Sequence, residues 1–441
     1  MKIFKILCLV LSLTLFGCSS DEDNLDPDDP GNNDNSQYVI NDVFSNRNET
    51  SYLAKDIYAI WWDKDTDRTN EANALLDEMI LLKEVILSEY CLQVPQNTLD
   101  GYFINIYLHA DGGFYDSKGW GNGMRTDSNG YPFLTLPHWI LSDKLNTAHE
   151  TFHLFQHNSN ASGFWYEGDK QWYTEATANW FAYLQNPSAS RSFVTSEILA
   201  RLPHVPLWSG WFNRPDSYPQ NWQRENHQYA LGQFLYYLTE EADIARCQLT
   251  EGYYSNTTLN PQEYLYNNLG SINLRNHFLD WATLVVNEFD FPFMSQNQKN
   301  TVVQEWNTYA EPNDDNQYIE IFNSIQTNSY RPSETKVTTA WSFNTYKLIN
   351  SSNGNYTFNL NGDDLGSYGA ESFFTGKVIV KNQNGNTTIY DLEMTNNYQG
   401  SLSLNIENTD TEVFFIIASM PEIFEDNNQE YQTFSYEIRI D

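Results

Sequence analysis

The spacing of apolar residues changes near Pro332, from mainly helical to strand-like, and that change limits the architectures open to this chain. Upstream, Leu145, Ala148, Phe152 and Phe155 recur every three or four positions, as do Trp172, Ala176, Trp180 and Tyr183. Such stripes turn one face of a helix toward a core. The same spacing predicts helices over Asn70–Tyr90, His227–Glu241 and Leu274–Glu288. Downstream, Tyr356, Phe358 and Leu360 alternate with polar residues, and so do Leu402, Leu404 and Ile406, then Phe434, Tyr436, Ile438 and Ile440. That is the period of strands buried on one face. Asn384-Gly385 between "KVIV" and "TTIYDLEM" signals a tight hairpin, and "VFFIIA", Val413–Ala418, reads as a strand buried on both faces. Residues 332–441 are therefore expected to form an antiparallel β-sandwich.

Before the helical stretch, "YAIWW" (Tyr58–Trp62) and "YFINIYLHA" (Tyr102–Ala110) read as strands. The glycine-bearing stretch Asp111–Gly130 reads as a loop or an irregular edge, and the prolines of "YPFLTLP" (Tyr131–Pro137) suit an edge strand. A chain of 441 residues is too long for one simple core. Two folded domains are expected, 38–331 and 332–441, the first an α+β body with a small mixed sheet and a mainly helical remainder.

The first 37 residues are not read as fold. Lys2 and Lys5 precede an apolar run, Ile6–Gly17, that is too short to cross a ~30 Å hydrocarbon layer and fits a signal peptide, residues 1–18. Leu15-Phe16-Gly17-Cys18 resembles a bacterial lipobox, with Phe16 where a small residue is usual. The resemblance implies lipidation at Cys18 and a membrane tether without a spanning helix. "SSDEDNLDPDDPGNNDNS" follows, nearly free of apolar residues, so residues 19–37 are expected to be a disordered acidic tether. An acidic run so near the cysteine is similar to the surface-export signal of Bacteroidetes lipoproteins, which implies an outer-membrane lipoprotein exposed on the cell surface.

There are 58 acidic against 24 Lys and Arg residues, a formal net charge of -34 that repels phosphate backbones and argues against nucleic-acid binding. Outside the signal segment the cysteines are Cys91 and Cys247, which either pair in an oxidising envelope or remain buried free thiols.

The chemistry-bearing stretch is "AHETFHLFQH", Ala148–His157, which holds H-E-x-x-H as His149, Glu150 and His153. On a helix capped at Ser142 or Asp143, positions i and i+4 share a face, so both imidazoles reach one ion while Glu150 sits beside its open position. A hydrolytic zinc site needs a third protein ligand. His157 would lie about 12 Å along the axis from His149, too far on a straight helix. Glu175, in "WYTEATANW", lies on a second helical stripe after a turn near Gly163–Asp169, and Glu167 in that turn is its rival.

H-E-x-x-H followed by a glutamate in a W-x-x-E-A-x-A-x-W helix resembles the gluzincins, the thermolysin-like zinc peptidases. The resemblance implies a zincin-like catalytic domain, a Zn2+ cofactor held by His149, His153 and Glu175, and Glu150 as general base on the zinc-activated water. Asn179 stands one turn after the glutamate, where the clan often has an Asp. Tyr229, rather than His227, in "HQYALGQFLYYL" is the expected donor to the oxyanion. The function implied is a surface-anchored metallopeptidase acting on protein or peptide substrates, with the glycine-rich stretch before "YPFLTLP" as an edge for the substrate chain. The alternative is a surface lipoprotein that binds glycan or protein ligands and has a structural or vestigial zinc site. In that case the 29 Tyr, 26 Phe and 13 Trp would serve sugar stacking as well as core packing.

Overall fold

The computed structural model describes residues 50–64, 66–109, 122–126, 130–157, 159–187, 202–210, 227–287, 295–297, 299–300, 319–323, 328–349, 353–407, 409–425 and 430–441. The expected signal segment with Cys18 and the expected tether lie outside the described residues.

The chain first builds a mixed five-stranded sheet. β1 (Thr50–Lys55) and β2 (Tyr58–Asp63) form a hairpin whose turn places Asp56 at φ 56°, a left-handed conformation that Asp tolerates. β2, β3 (Ile104–His109) and β5 (Pro132–Pro137) run parallel, and β4 (Asn122–Thr126) pairs antiparallel with β5. The order is β1-β2-β3-β5-β4. β5 was expected at an edge and is instead an inner strand. Its prolines sit at its two ends, opposite Thr126 and His109, so the missing N–H groups cost the ladder little. Among the described residues the edge is β4, inside the stretch read as loop or irregular edge, and its register shifts between Asn122 and Arg125.

Both faces of this sheet are covered. Tyr58, Ile60 and Trp62 join the main core with Leu75, Leu76 and Met79 of helix α1 (Thr69–Glu89). Ala59 and Trp61 pack on the other side with Tyr107 and Phe133. This two-sided burial suits the parallel strands.

Helix α2 (Lys144–Gln156) starts at Asp143, whose carboxylate accepts from Asn146 N at 3.1 Å. Helix α3 (Gln171–Gln185) lies against it, with Phe152 and Phe181 stacked at 4.8 Å. The expected helix over 227–241 is broken: a single turn, His227–Ala230, is followed by helix α4 (Gly232–Glu240). Leu231 marks the break, and Gly232 opens α4. A Cβ there would stand 3.0 Å from Ala176 O and 3.2 Å from Asn179 Cβ, so glycine lets α4 lie against α3. Helix α5 (Pro261–Leu269) begins on Asn260, and Gly270 at φ 83° turns the chain into helix α6 (Ser271–Val286).

The C-terminal part contains two five-stranded sheets. One has the order β13-β14-β10-β17-β7, from β13 (Glu393–Met394), β14 (Gln399–Ile406), β10 (Gly354–Gly362), β17 (Tyr436–Ile440) and β7 (Ser329–Tyr330). The other has the order β12-β11-β15-β9-β6, from β12 (Thr387–Asp391), β11 (Phe374–Asn382), β15 (Asp410–Ser419), β9 (Ser342–Ile349) and β6 (Ile319–Asn323). β8 (Thr338–Thr339) and β16 (Thr433–Phe434) make a further short pair. The large sheets face each other through Phe358 and Phe415, 5.5 Å apart, and through Phe374 and Tyr436, 5.6 Å apart, as a β-sandwich requires. Two details differ from expectation. β6 pairs parallel with β9, so the sandwich is not wholly antiparallel. β6 and β7 also precede Pro332, so the sheets begin upstream of the change in spacing.

The described residues from Thr50 to Asp441 belong to one compact unit, and a single connected core joins their helices and sheets. Trp281 packs on Phe343 at 6.1 Å, and Phe278 on Trp341 at 5.8 Å. Lys377 Nζ reaches Asp280 at 2.7 Å, and Arg275 Nε donates to Met420 O at 3.0 Å. Cys91 and Cys247, left open between pairing and free thiols, form a disulfide from the end of α1 to the segment Arg246–Thr250.

Candidate metal centre

Helix α2 presents His149 and His153 one turn apart on the face that meets α3, where Glu175 lies in the facing turn. The three are 8%, 3% and 4% exposed. Glu175 Oε2 stands 3.3 Å from His149 Nε2 and 3.5 Å from His153 Nε2, and the two Nε2 atoms are 3.0 Å apart. Among the described residues this is the one buried cluster of His, Cys, Asp or Glu able to hold a metal ion, its ligand atoms all within 4.8 Å of one another.

The hydrogen bonds behind the rings decide which nitrogens are free. Asn179 Nδ2 donates to the Tyr229 carbonyl at 2.9 Å, which leaves Asn179 Oδ1 facing His149 Nδ1 at 2.8 Å. Gln156 Nε2 donates to the Thr174 carbonyl at 3.1 Å, which leaves Gln156 Oε1 facing His153 Nδ1 at 2.6 Å. A carbonyl only accepts, so each amide has one orientation and each Nδ1 carries the proton. Two imidazole lone pairs and a carboxylate oxygen then converge with no hydrogen between them, an arrangement a cation satisfies. Glu175 Oε2 has no hydrogen-bond partner among the described residues, which agrees.

Without a cation, a second proton on His153 takes its place against Glu175. Burial lowers the affinity of His153 for a second proton, yet the adjacent Glu175 carboxylate outweighs this and pushes it up to about 9. Burial opposes ionisation of Glu175, but the two imidazoles, His153 first, hold it well below the usual carboxylate range. Glu150, on the same helix, has one buried oxygen, Oε2, without a hydrogen-bond partner among the described residues. Burial pushes its carboxyl up, the imidazoles oppose this, and the charge of Glu175 adds to it.

The other candidates fall on different sides of the cluster. Tyr229 is beside it, its ring centroid 6.1 Å from that of His149 and its hydroxyl against Glu175 and Gln228. Its phenol is held protonated, first by burial and then by the Glu175 charge. His227 is buried in the same turn. Glu167 is exposed and pairs with Lys170 Nζ at 2.9 Å, outside the cluster. His157 is outside it too, its ring 5.9 Å from that of His153.

Three residues escaped the sequence reading. Tyr166, in the turn between α2 and α3, also brings its hydroxyl against Glu175 and Gln228. Gln156 stands three residues after His153, a helical neighbour spacing that could have drawn attention to it. Tyr253, which receives a hydrogen bond from Gln156, lies 97 positions away and left no local signal.

The fold and this centre define an α+β protein with a buried two-histidine, one-glutamate group able to hold a metal ion. The chain belongs to the family of unknown function DUF6055, whose model matches residues 58–441 and so spans both the cluster and the sheets. Among curated proteins none matches it. It is similar to the pre-peptidase C-terminal domain of a collagenase from Bacillus anthracis, at 10% identity over 28% of this chain and 94% of that chain, with a TM-score of 0.17. A family GH115 4-O-methyl-α-glucuronidase with specificity for decorated arabinogalactans matches at 8% identity over 50% of this chain and 30% of that one, TM-score 0.16. The alpha toxin of Clostridium absonum matches at 12% identity over 67% of this chain and 89% of that one, TM-score 0.12.

Proposed function

We propose that this protein is a zinc-dependent metallopeptidase of gluzincin type, carried on the cell surface by a lipid at Cys18. The observation behind this reading is the convergence of His149 Nε2, His153 Nε2 and Glu175 Oε2 beside Glu150, whose buried Oε2 has no hydrogen-bond partner among the described residues. Two imidazoles and one carboxylate are a donor set for zinc in a three-ligand site, which keeps a fourth position for solvent. When bound there, zinc supplies Lewis acidity and lowers the pKa of water toward ~7. Glu150 takes the proton from the attacking water and passes it to the leaving amine, a task for which a raised carboxyl pKa suits it. A purely structural metal site has no use for such a base. Tyr229, kept protonated and next to His149, donates to the oxyanion. β4, the last strand of its sheet, offers an edge along which an extended peptide pairs. The helical body with its mixed sheet is thus read as zincin-like, and the charge of -34 keeps nucleic acid out of the set of partners.

The test uses the full chain. Purified protein is expected to hold about one zinc. It should cleave an unfolded protein mixture, lose that activity to a chelator, and regain it when Zn2+ is restored. Zinc-loaded protein that leaves unfolded chains intact would overturn the peptidase reading in favour of a binding lipoprotein.

A further inference from the structure

We propose that Gln156 is a positioning residue that sets His153 in its cation-binding tautomer, and that Tyr253 holds Gln156 in place for that task. This rests on reading the two-histidine, one-glutamate cluster as a metal centre. Gln156 is 2% exposed, so its amide must find every partner inside the protein. Its Nε2 meets three oxygens: Thr174 O at 3.1 Å, Thr177 Oγ1 at 2.6 Å and Tyr253 OH at 3.1 Å. Thr177 gives its own proton to Tyr173 O at 2.6 Å, so its oxygen is free to accept from Gln156. Tyr253 OH lies 3.1 Å from Thr177 Oγ1 and donates there, which leaves its own oxygen to accept from Gln156 too. A flipped amide would set Oε1 against the Thr174 carbonyl, acceptor against acceptor. The network therefore permits one orientation, with Oε1 taking the proton of His153 Nδ1 and Nε2 of that ring turned to Glu175.

Tyr253 is itself fixed. It is 1% exposed and packs on Phe164 at 4.9 Å, and its carbonyl accepts from Ser159 Oγ at 2.5 Å. Its turn, Glu251–Tyr254, directly follows the segment that holds Cys247. One imidazole is thus aligned by a residue 97 positions from Gln156 through a single amide. Such outer partners commonly contribute 10- to 100-fold to metal affinity.

The experiment measures Zn2+ affinity by competition with a chromophoric chelator, and the visible absorption of the Co2+-loaded protein. Gln156→Met keeps the size and removes every hydrogen bond. It is expected to weaken Zn2+ binding roughly 10- to 100-fold and to alter the Co2+ spectrum. Tyr253→Phe keeps the packing and removes one acceptor; a smaller loss in the same direction is expected. A folded Gln156→Met protein with wild-type affinity and spectrum overturns the proposal. If that variant does not fold, wild-type values for Tyr253→Phe overturn it. A wild-type protein that takes up neither ion is a different failure, because it removes the metal centre itself.

Discussion

Asn179 Oδ1 lies 2.8 Å from His149 Nδ1, while the other end of the same amide donates to the Tyr229 carbonyl. One side chain therefore orients an imidazole and anchors the turn that carries Tyr229. An aspartate would orient His149 as well, but its second oxygen would meet the Tyr229 carbonyl as acceptor against acceptor. Asn179→Ala is expected to weaken Zn2+ binding roughly 10- to 100-fold, as loss of an outer-shell partner does. A chelator-competition titration checks it, and unchanged affinity would remove Asn179 from the centre.

Glu150 is not among the three converging ligands, so chemistry and metal binding should separate there. Glu150→Gln is expected to reduce peptide hydrolysis by at least about 10²–10⁴-fold while zinc content stays at the wild-type level. Zinc analysis and turnover of an unfolded substrate, measured on the same preparation, decide it. Retained turnover would assign the base elsewhere.

His157 gives a pH dependence with a definite sign. Burial, with the neighbouring His153 adding to it, lowers its pKa from 6.5 to about 3. The folded protein therefore keeps His157 neutral where the unfolded chain accepts a proton. Its contribution to stability is complete above about pH 6.5 and is lost as the pH falls toward 3. Urea midpoints of the wild type should fall more steeply over that window than those of His157→Gln. Parallel curves would mean that His157 titrates normally in the fold.

The disulfide closes a span of 156 residues, from the end of α1 to the segment before Tyr253. Closing so long a loop restricts the unfolded chain, and its loss costs about 2–5 kcal/mol. The double replacement Cys91→Ala with Cys247→Ala should lower the urea midpoint accordingly. In the wild type a reductant should do the same. A reductant with no effect on the midpoint would show that the bridge adds little.

The parts of this protein that were legible in its sequence are those that local period dictates. His149 and His153 must share a face of α2 because four residues are about one turn, and Glu175 sits in the helical stretch marked by Trp172, Ala176 and Trp180, far enough along the chain for a second helix to return beside the first. The sandwich strands declared themselves by alternation. Elsewhere the outcome was set at long range. β5 became an inner strand because β4 came to lie outside it, and its prolines fell harmlessly at the ends. The helix expected over 227–241 broke at Leu231, next to Gly232, where the α3 backbone comes close. Tyr166 and Tyr253 reach the centre only through the folding of turns, so no spacing rule could mark them. The pairing of Cys91 with Cys247 likewise depends on the path of the chain between them.

The core that passes from α6 into the sheets has a practical consequence. Phe278 and Trp281 find their partners in Trp341 and Phe343, so a cut near Pro332 would leave two large aromatics of α6 facing solvent. The C-terminal strands are therefore no detachable cassette. Shortened versions should precipitate on purification, and anyone transplanting the sheets onto another body would carry a sticky face along with them.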